Sequence, residues 1–226
     1  MLKTILFNIA MYFWLMALAP FVLVGLLSLR LTKRLNIIMA RGLLLLARLI
    51  VGIKWEVIDT VPGRGGVIDP RHIIASKHMS ILEIAIIMVT FQNAFFIMKR
   101  EMLFIPVYGW AFWRLGFVSV DRTKGATNMK ELCARVARRI EKGGTLAIFP
   151  EGTRKKPGDG VRLRGGLFYM ASLLRLSIQP VGTNAGLFWP KRGRMHGGVA
   201  GVWLEPPLPF DAPVDAVAAA IGRHSV

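Results

Sequence analysis

Apolar positions run almost unbroken through the first 53 residues and then give way to short apolar stretches separated by polar ones. From Ile5 to Leu29 there are 25 residues without a formal charge, interrupted by Asn8, Pro20 and Gly25. About 20 apolar residues suffice for a helix to span a bilayer. A second run, Leu35 to Ile53, carries Arg41 and Arg48 on one helical face, the pattern of an amphipathic interfacial helix. Two arrangements fit: one span followed by a surface helix, or a helical hairpin that dips into one leaflet, with the break at Pro20. A secretory signal is not expected, because no small-x-small cleavage site is followed by a polar, disulfide-permissive domain.

From Lys54 onward the period changes. Strands are predicted at Trp55 to Ile58, Ile73 to Ser76, Ala94 to Met98, Phe117 to Val120, Thr145 to Phe149, Ile178 to Val181 and Val199 to Leu204. Helices are predicted at Ser80 to Thr90, Tyr108 to Leu115, Ala126 to Glu141 and Gly166 to Leu176. This alternation predicts an α/β domain, a mixed and mostly buried sheet flanked by helices. Residues 1–53 are expected to form membrane-associated helices and residues 54–226 the α/β domain. The Pro-rich piece Glu205 to Pro213 is expected on the surface, followed by a short helix from Val214 to Ile221.

Composition supports a membrane setting. Apolar residues make up 54% of the 226, above the usual soluble share. The net charge is +17, of which residues 1–53 contribute six bases and no acid. Such a surface suits anionic headgroups, and the bases Arg30, Lys33 and Arg34 after the first run favour a cytoplasmic location for the remainder of the chain. Nucleic acid rewards the same charge, but the aromatics sit in apolar runs such as Phe95-Phe96 rather than among the bases, so no nucleic-acid partner is expected. The single cysteine, Cys133, excludes an intrachain disulfide framework and reads as a buried apolar residue.

Two stretches carry candidate chemistry. In Ser76-Lys77-His78-Met79-Ser80-Ile81-Leu82-Glu83 an imidazole ends a strand and a carboxylate follows five residues later on a new helix. An imidazole can act as a base at neutral pH, and a carboxylate can fix its tautomer and stabilise the imidazolium. Ser80 and Glu83 also have the spacing of a capping box. The second stretch, Phe149-Pro150-Glu151-Gly152-Thr153-Arg154, leaves the carboxyl end of a strand, where open α/β sheets hold their ligands. Gly152 permits close backbone approach, and Arg154 offers a planar fork suited to phosphate. A solvated turn explains the glycines beyond it equally well. His72 and His78 lack a Cys or acidic partner at metal-site spacing, so no metal is expected; His196 and His224 read as solvated.

Taken together, His78 with an acid five residues on and Phe-Pro-Glu-Gly-Thr-Arg at 149–154 resemble the 1-acyl-sn-glycerol-3-phosphate acyltransferases among the glycerolipid acyltransferases. Gly116 to Arg122 loosely resembles that family's Gly-x-x-Phe-Ile-x-Arg block with the terminal Arg matched, Ile178-Gln179-Pro180-Val181 its fourth block, and Lys99 to Met102 with Pro106 and Gly109-Trp110 the segment between the first two. The family usually has Asp where this chain has Glu83, whose extra methylene adds about 1.5 Å of reach if extended.

The resemblance implies transfer of an acyl group from coenzyme A or acyl carrier protein to the hydroxyl of a lysophospholipid, with membrane lipids as surroundings and no cofactor. It implies His78 as base, Glu83 as its orienting partner, Arg122 and Arg154 on the acceptor phosphate, and Glu151, Gly152 and Thr153 in acceptor binding; Lys99 and Arg164 are further candidates for the same pocket. The location implied is the cytoplasmic face of the inner membrane. Acylation of another lysolipid, such as a lyso-ornithine lipid, and a non-catalytic basic membrane-anchored binder are the alternative readings.

Overall fold

The computed structural model describes residues 1–121 and 129–224. Helix α1 (Leu2–Gly25) continues through Pro20, and the chain reverses at Leu26–Ser28 instead, where Ser28 is extended. The reversal is held by Thr32, whose Oγ donates to the carbonyl of Gly25 at 2.8 Å or of Ser28 at 2.9 Å, satisfying carbonyls left over at a helix end. Gly25 lets Leu35 pack close there, since a Cβ would stand 2.5 Å from Leu35 Cδ1. Helix α2 (Leu29–Leu46) then packs back along α1, with Trp14 Nε1 donating to the Met39 carbonyl at 3.3 Å, and ends in a π-helical turn, Ala47–Val51. The two helices therefore form a hairpin whose break is set by a capped turn rather than by proline.

Helix α1 is long and apolar enough to cross a membrane, and Leu6, Ile9, Phe13, Met16 and Phe21 are exposed along it. Its inner face belongs to the core: Phe7 is fully buried with Ala40, Leu44, Ala47 and Val51 against Ile74, Leu82 and Ile86. In α2, Thr32, Leu35, Ala40 and Leu44 point inward while Arg30, Arg34 and Arg41 are exposed, the amphipathic division expected from the sequence.

Seven strands, β1 (Ile53–Asp59), β2 (His72–Ser76), β3 (Ala94–Lys99), β4 (Val118–Val120), β5 (Thr145–Ile148), β6 (Ser177–Thr183) and β7 (Gly198–Leu204), form one mixed sheet in the order β1-β7-β6-β2-β5-β3-β4. All neighbours are parallel except β6 and β7. Pro180, unusual in a central strand, lies one residue before the β7 ladder begins at Val181, so its missing N–H interrupts no β6–β7 pairing.

Successive β2 residues point to opposite faces, and both faces are covered. Ile74 joins the core under α1, α2 and α3 (Leu82–Thr90). Ile73 and Ala75 join the core under α5 (Met129–Glu141), α6 (Gly166–Leu174) and α8 (Val214–Gly222), with α4 (Tyr108–Arg114) lying beside the hairpin turn. Cys133 is buried in the second core. Two short helical elements had no period long enough to announce them: a 3-10 turn at Arg100–Phe104 and helix α7 at Ala185–Phe188. The stretch Glu205 to Pro213 is not a plain surface run. Glu205 is fully buried, and Leu208 exchanges backbone hydrogen bonds with Ile178 at 2.7 and 2.8 Å. His224 is likewise not solvated: it stacks on Trp203 with centroids 4.5 Å apart and has Nε2 3.0 Å from Glu205, which also pairs with Arg223.

Candidate active site

Strands β2 and β5 are parallel neighbours, with Ile74 opposite Ala147 and Ala75 opposite Ile148. Parallel pairing brings both carboxyl ends to the same edge of the sheet, so Lys77-His78 and Phe149 to Arg154, about seventy residues apart in sequence, emerge side by side. The neighbouring strand β3 ends there with Lys99, which is exposed.

Helix α3 starts at Leu82, two residues later than the apolar pattern predicted, because Ser80 and Ile81 are used to cap it. The Ser80 hydroxyl accepts the Leu82 N–H at 3.0 Å, and Glu83 reaches back over the first turn. Its Oε1 accepts the N–H groups of Met79 at 2.9 Å and Ser80 at 2.8 Å, and lies 3.0 Å from His78 Nδ1. A carboxylate in that position requires the proton on Nδ1 and leaves Nε2 with a lone pair. Glu83 is fully buried, whereas the His78 side chain keeps about 18% of its surface exposed. The imidazole stacks on Phe149 at 4.2 Å, and Phe149 on Phe96 at 5.8 Å, so the base has an apolar floor.

The second stretch is sewn to the first through the backbone. Glu151 Oε2 accepts the His78 N–H at 3.2 Å, and the His78 carbonyl accepts the Lys155 N–H at 2.7 Å. Glu151 is 3% exposed, and burial pushes its carboxyl up from the ordinary value against the pull of the His78 N–H, Lys77, Lys155 and His78. Gly152 has φ +70°, and a Cβ on it would stand 2.9 Å from Arg164 Nε, so the glycine lets the Arg164 side chain lie across the loop. The Arg164 N–H returns to the Pro150 carbonyl at 3.0 Å, closing the loop on itself. Thr153 is exposed and Arg154 half-buried in the same loop. His78, Glu83, Glu151, Gly152, Thr153, Arg154 and Arg164 thus gather at one edge, with Lys99 two strands from β2. Arg122 lies outside the described residues.

A partly exposed imidazole on a buried carboxylate, beside a basic, glycine-containing loop, is equipped to deprotonate a hydroxyl next to an anionic group. A family model described as acyltransferase matches residues 55–184, which contain all of these elements except the N-terminal hairpin. The chain belongs to the acyltransferase family.

Among relatives, a 1-acyl-sn-glycerol-3-phosphate acyltransferase of Pseudomonas aeruginosa is 32% identical over 150 residues, covering 66% of this chain and 56% of the relative. The human 1-acyl-sn-glycerol-3-phosphate acyltransferase beta is 32% identical over 131 residues, 58% of this chain and 46% of the relative. The chain spans about half the length of the curated relatives it matches. The crystal structure of PlsC, the 1-acyl-sn-glycerophosphate acyltransferase of Thermotoga maritima, superposes with TM-score 0.75 at 18% identity over 98% of this chain and 94% of that one, which shows a shared fold, hairpin included.

Two features of this acyltransferase site escaped the sequence. Phe149 reads there as the last residue of a strand, yet its ring is the surface His78 rests on. Lys77, to which the sequence assigns no role, is 1% exposed, with Nζ donating to the Asp159 carbonyl at 2.7 Å. His72 and His78 sit at opposite ends of β2, and among the described residues no three His, Cys, Asp or Glu side chains could share a metal ion.

Proposed function

We propose that this acyltransferase moves a fatty acyl group from a thioester of coenzyme A or acyl carrier protein to the free hydroxyl of lysophosphatidic acid, giving phosphatidic acid. The observation that carries the reading is the His78–Glu83 contact of 3.0 Å at the edge where the Glu151–Arg154 loop also emerges.

In the proposed step His78 Nε2 takes the hydroxyl proton as that oxygen attacks the thioester carbonyl. The tetrahedral intermediate collapses by breaking the carbon–sulfur bond, and the imidazolium returns the proton to the departing thiolate. Glu83 holds the Nδ1 proton and balances the imidazolium charge; general-base help of this kind supplies on the order of a hundred- to ten-thousandfold in rate. Arg154, with Arg122, takes the acceptor phosphate, and Lys99 and Arg164 add positive charge to the same edge. No metal or prosthetic group takes part in this scheme. The exposed apolar side of α1 supports a site held at the membrane surface, where an amphiphilic acceptor need not leave the bilayer, and Arg30, Lys33 and Arg34 support the cytoplasmic face of the inner membrane.

The test is transfer of a labelled acyl group from coenzyme A and from acyl carrier protein to a panel of lysolipids in mixed micelles, beside His78→Ala. Transfer to lysophosphatidic acid that disappears in the variant is the expected result. Transfer confined to another lysolipid would move the substrate, and transfer that survives in the variant would remove His78 from the mechanism.

A further inference from the structure

Lysine is almost never fully buried unless it is paired, because its ammonium loses several kcal/mol of hydration. Lys77 is 1% exposed and among the largest fully buried side chains of the protein, yet no carboxylate lies within 4.0 Å of its nitrogen among the described residues. The hydrogen bond of its ammonium, 2.7 Å to the Asp159 carbonyl, ties the Pro157–Gly160 turn to the end of β2. Glu151, 3% exposed, is the complementary case: one oxygen holds the His78 N–H, and the other is buried without a partner among the described residues.

We infer that Lys77 is a positioning residue for the acceptor loop: its ammonium pins the 155–160 turn and supplies the positive charge that faces the Glu151 carboxylate beneath His78. The inference rests on the proposed roles of His78 and Glu151. The two buried groups are linked through the backbone of the base itself, since Lys77 immediately precedes His78 and Glu151 accepts the His78 N–H. Lys77 is faced by Glu151 and Asp159, which favour its charge, and by Lys155, which opposes it. Glu151 is faced by Lys77, Lys155 and His78, all favouring the carboxylate. Burial pushes the Lys77 ammonium down and the Glu151 carboxyl up, and the opposite charge of each offsets part of the other's lost hydration. Without Lys77, Glu151 takes up a proton more readily, its grip on the His78 N–H weakens, and the loop bearing Arg154 is freed from the Asp159 tether.

The experiment uses the full chain in detergent micelles with ¹³C-labelled glutamate carboxyls, the Glu151 signal being identified by its loss in Glu151→Gln. In Lys77→Met, close in shape but uncharged, the Glu151 carboxyl is expected to titrate about one pH unit higher. The acid limb of kcat/KM should move with it, and the acceptor KM should rise about tenfold while the thioester KM stays within about twofold. In the Glu151→Gln background the same lysine change should leave the acid limb where it is. A Glu151 titration unchanged in Lys77→Met, or a limb that moves equally without Glu151, overturns the inference. If Lys77→Met does not fold, Glu151→Gln gives the reciprocal measurement by linkage: the Lys77 ammonium, followed through its labelled Cε, should titrate lower by a similar amount. An unmoved ammonium overturns the inference there too. The titrations need no substrate, so a parent enzyme inactive on lysophosphatidic acid would refute the acceptor assignment alone.

Discussion

A single oxygen, Glu83 Oε1, lies within 3.0 Å of His78 Nδ1 and of the backbone N–H groups of Met79 and Ser80. The carboxylate that contacts His78 is therefore the same one that caps α3, and the glutamate side chain spans both because it reaches back from inside the helix to the residues before it. For Glu83→Gln, the amide oxygen can still accept the two backbone N–H groups, but the negative charge facing the imidazole is gone. We expect kcat to fall roughly a thousandfold, acceptor KM to change little, and thermal stability to drop by only about 1 kcal/mol. Steady-state rates read beside Tm decide it, and a variant as fast as its parent would refute the orienting role.

His78 stands on the Phe149 ring with its Nδ1 side engaged, whereas α1 is held by Phe7, whose ring packs edge-on against Trp189 at 4.9 Å and makes no contact with the imidazole. His78→Ala should therefore abolish acyl transfer without loosening the protein from membranes. Co-sedimentation with anionic vesicles measured beside turnover would separate the two, since a purely binding protein would sediment with the vesicles and show no turnover in parent or variant.

Much of this was legible in the sequence, and the reasons differ by element. All seven strands and the longer helices follow apolar periods, and because β2 and β5 are parallel neighbours, two motifs far apart in sequence arrive at one edge. The site was legible as motif: the acid five residues after His78 does contact it. What periodicity could not carry was anything set by long-range packing. Lys77 and Glu205 are ordinary charged residues by composition and become buried because the turn at Asp159 and the end of α8 close over them. Pro20 is the opposite case: the sequence marks it as a break, but α1 runs on, and the reversal belongs to Gly25 and Thr32.

Arg154 is half-buried, in the loop whose backbone is fastened to His78 by the Lys155 N–H. A charge-assisted hydrogen bond to an anion is worth about 1.5–3 kcal/mol. Arg154→Ala should accordingly raise the acceptor KM by about ten- to a hundredfold and leave the thioester KM near its parent value. Equal loss for both substrates would point to a collapsed loop instead of a lost phosphate contact.

The connection from β1 to β2 is held by Asp59 and Arg64, away from the base. Arg64 Nη2 is 2.6 Å from Asp59 Oδ1 and 3.0 Å from the Leu204 carbonyl, and Nη1 is 2.7 Å from Gln179, while the Val61 and Gly66 N–H groups also donate to Asp59. The Arg64 guanidinium holds the Asp59 carboxyl down at about 2 against an ordinary 3.8. A carboxylate held below its unfolded value contributes stability that is complete above about pH 5 and disappears as pH falls through about 2. Both side chains keep some solvent contact, 15% and 13%, so the contribution is roughly 1–2 kcal/mol rather than that of a dry pair. Asp59→Asn should lower Tm at pH 7 by an amount matching that loss, with the gap to the parent smaller at pH 3 and closing further towards pH 2. The parent and the variant melted in the same detergent at the three pH values give the answer, and a gap of constant size would show that the side chain's shape, not its charge, holds the connection.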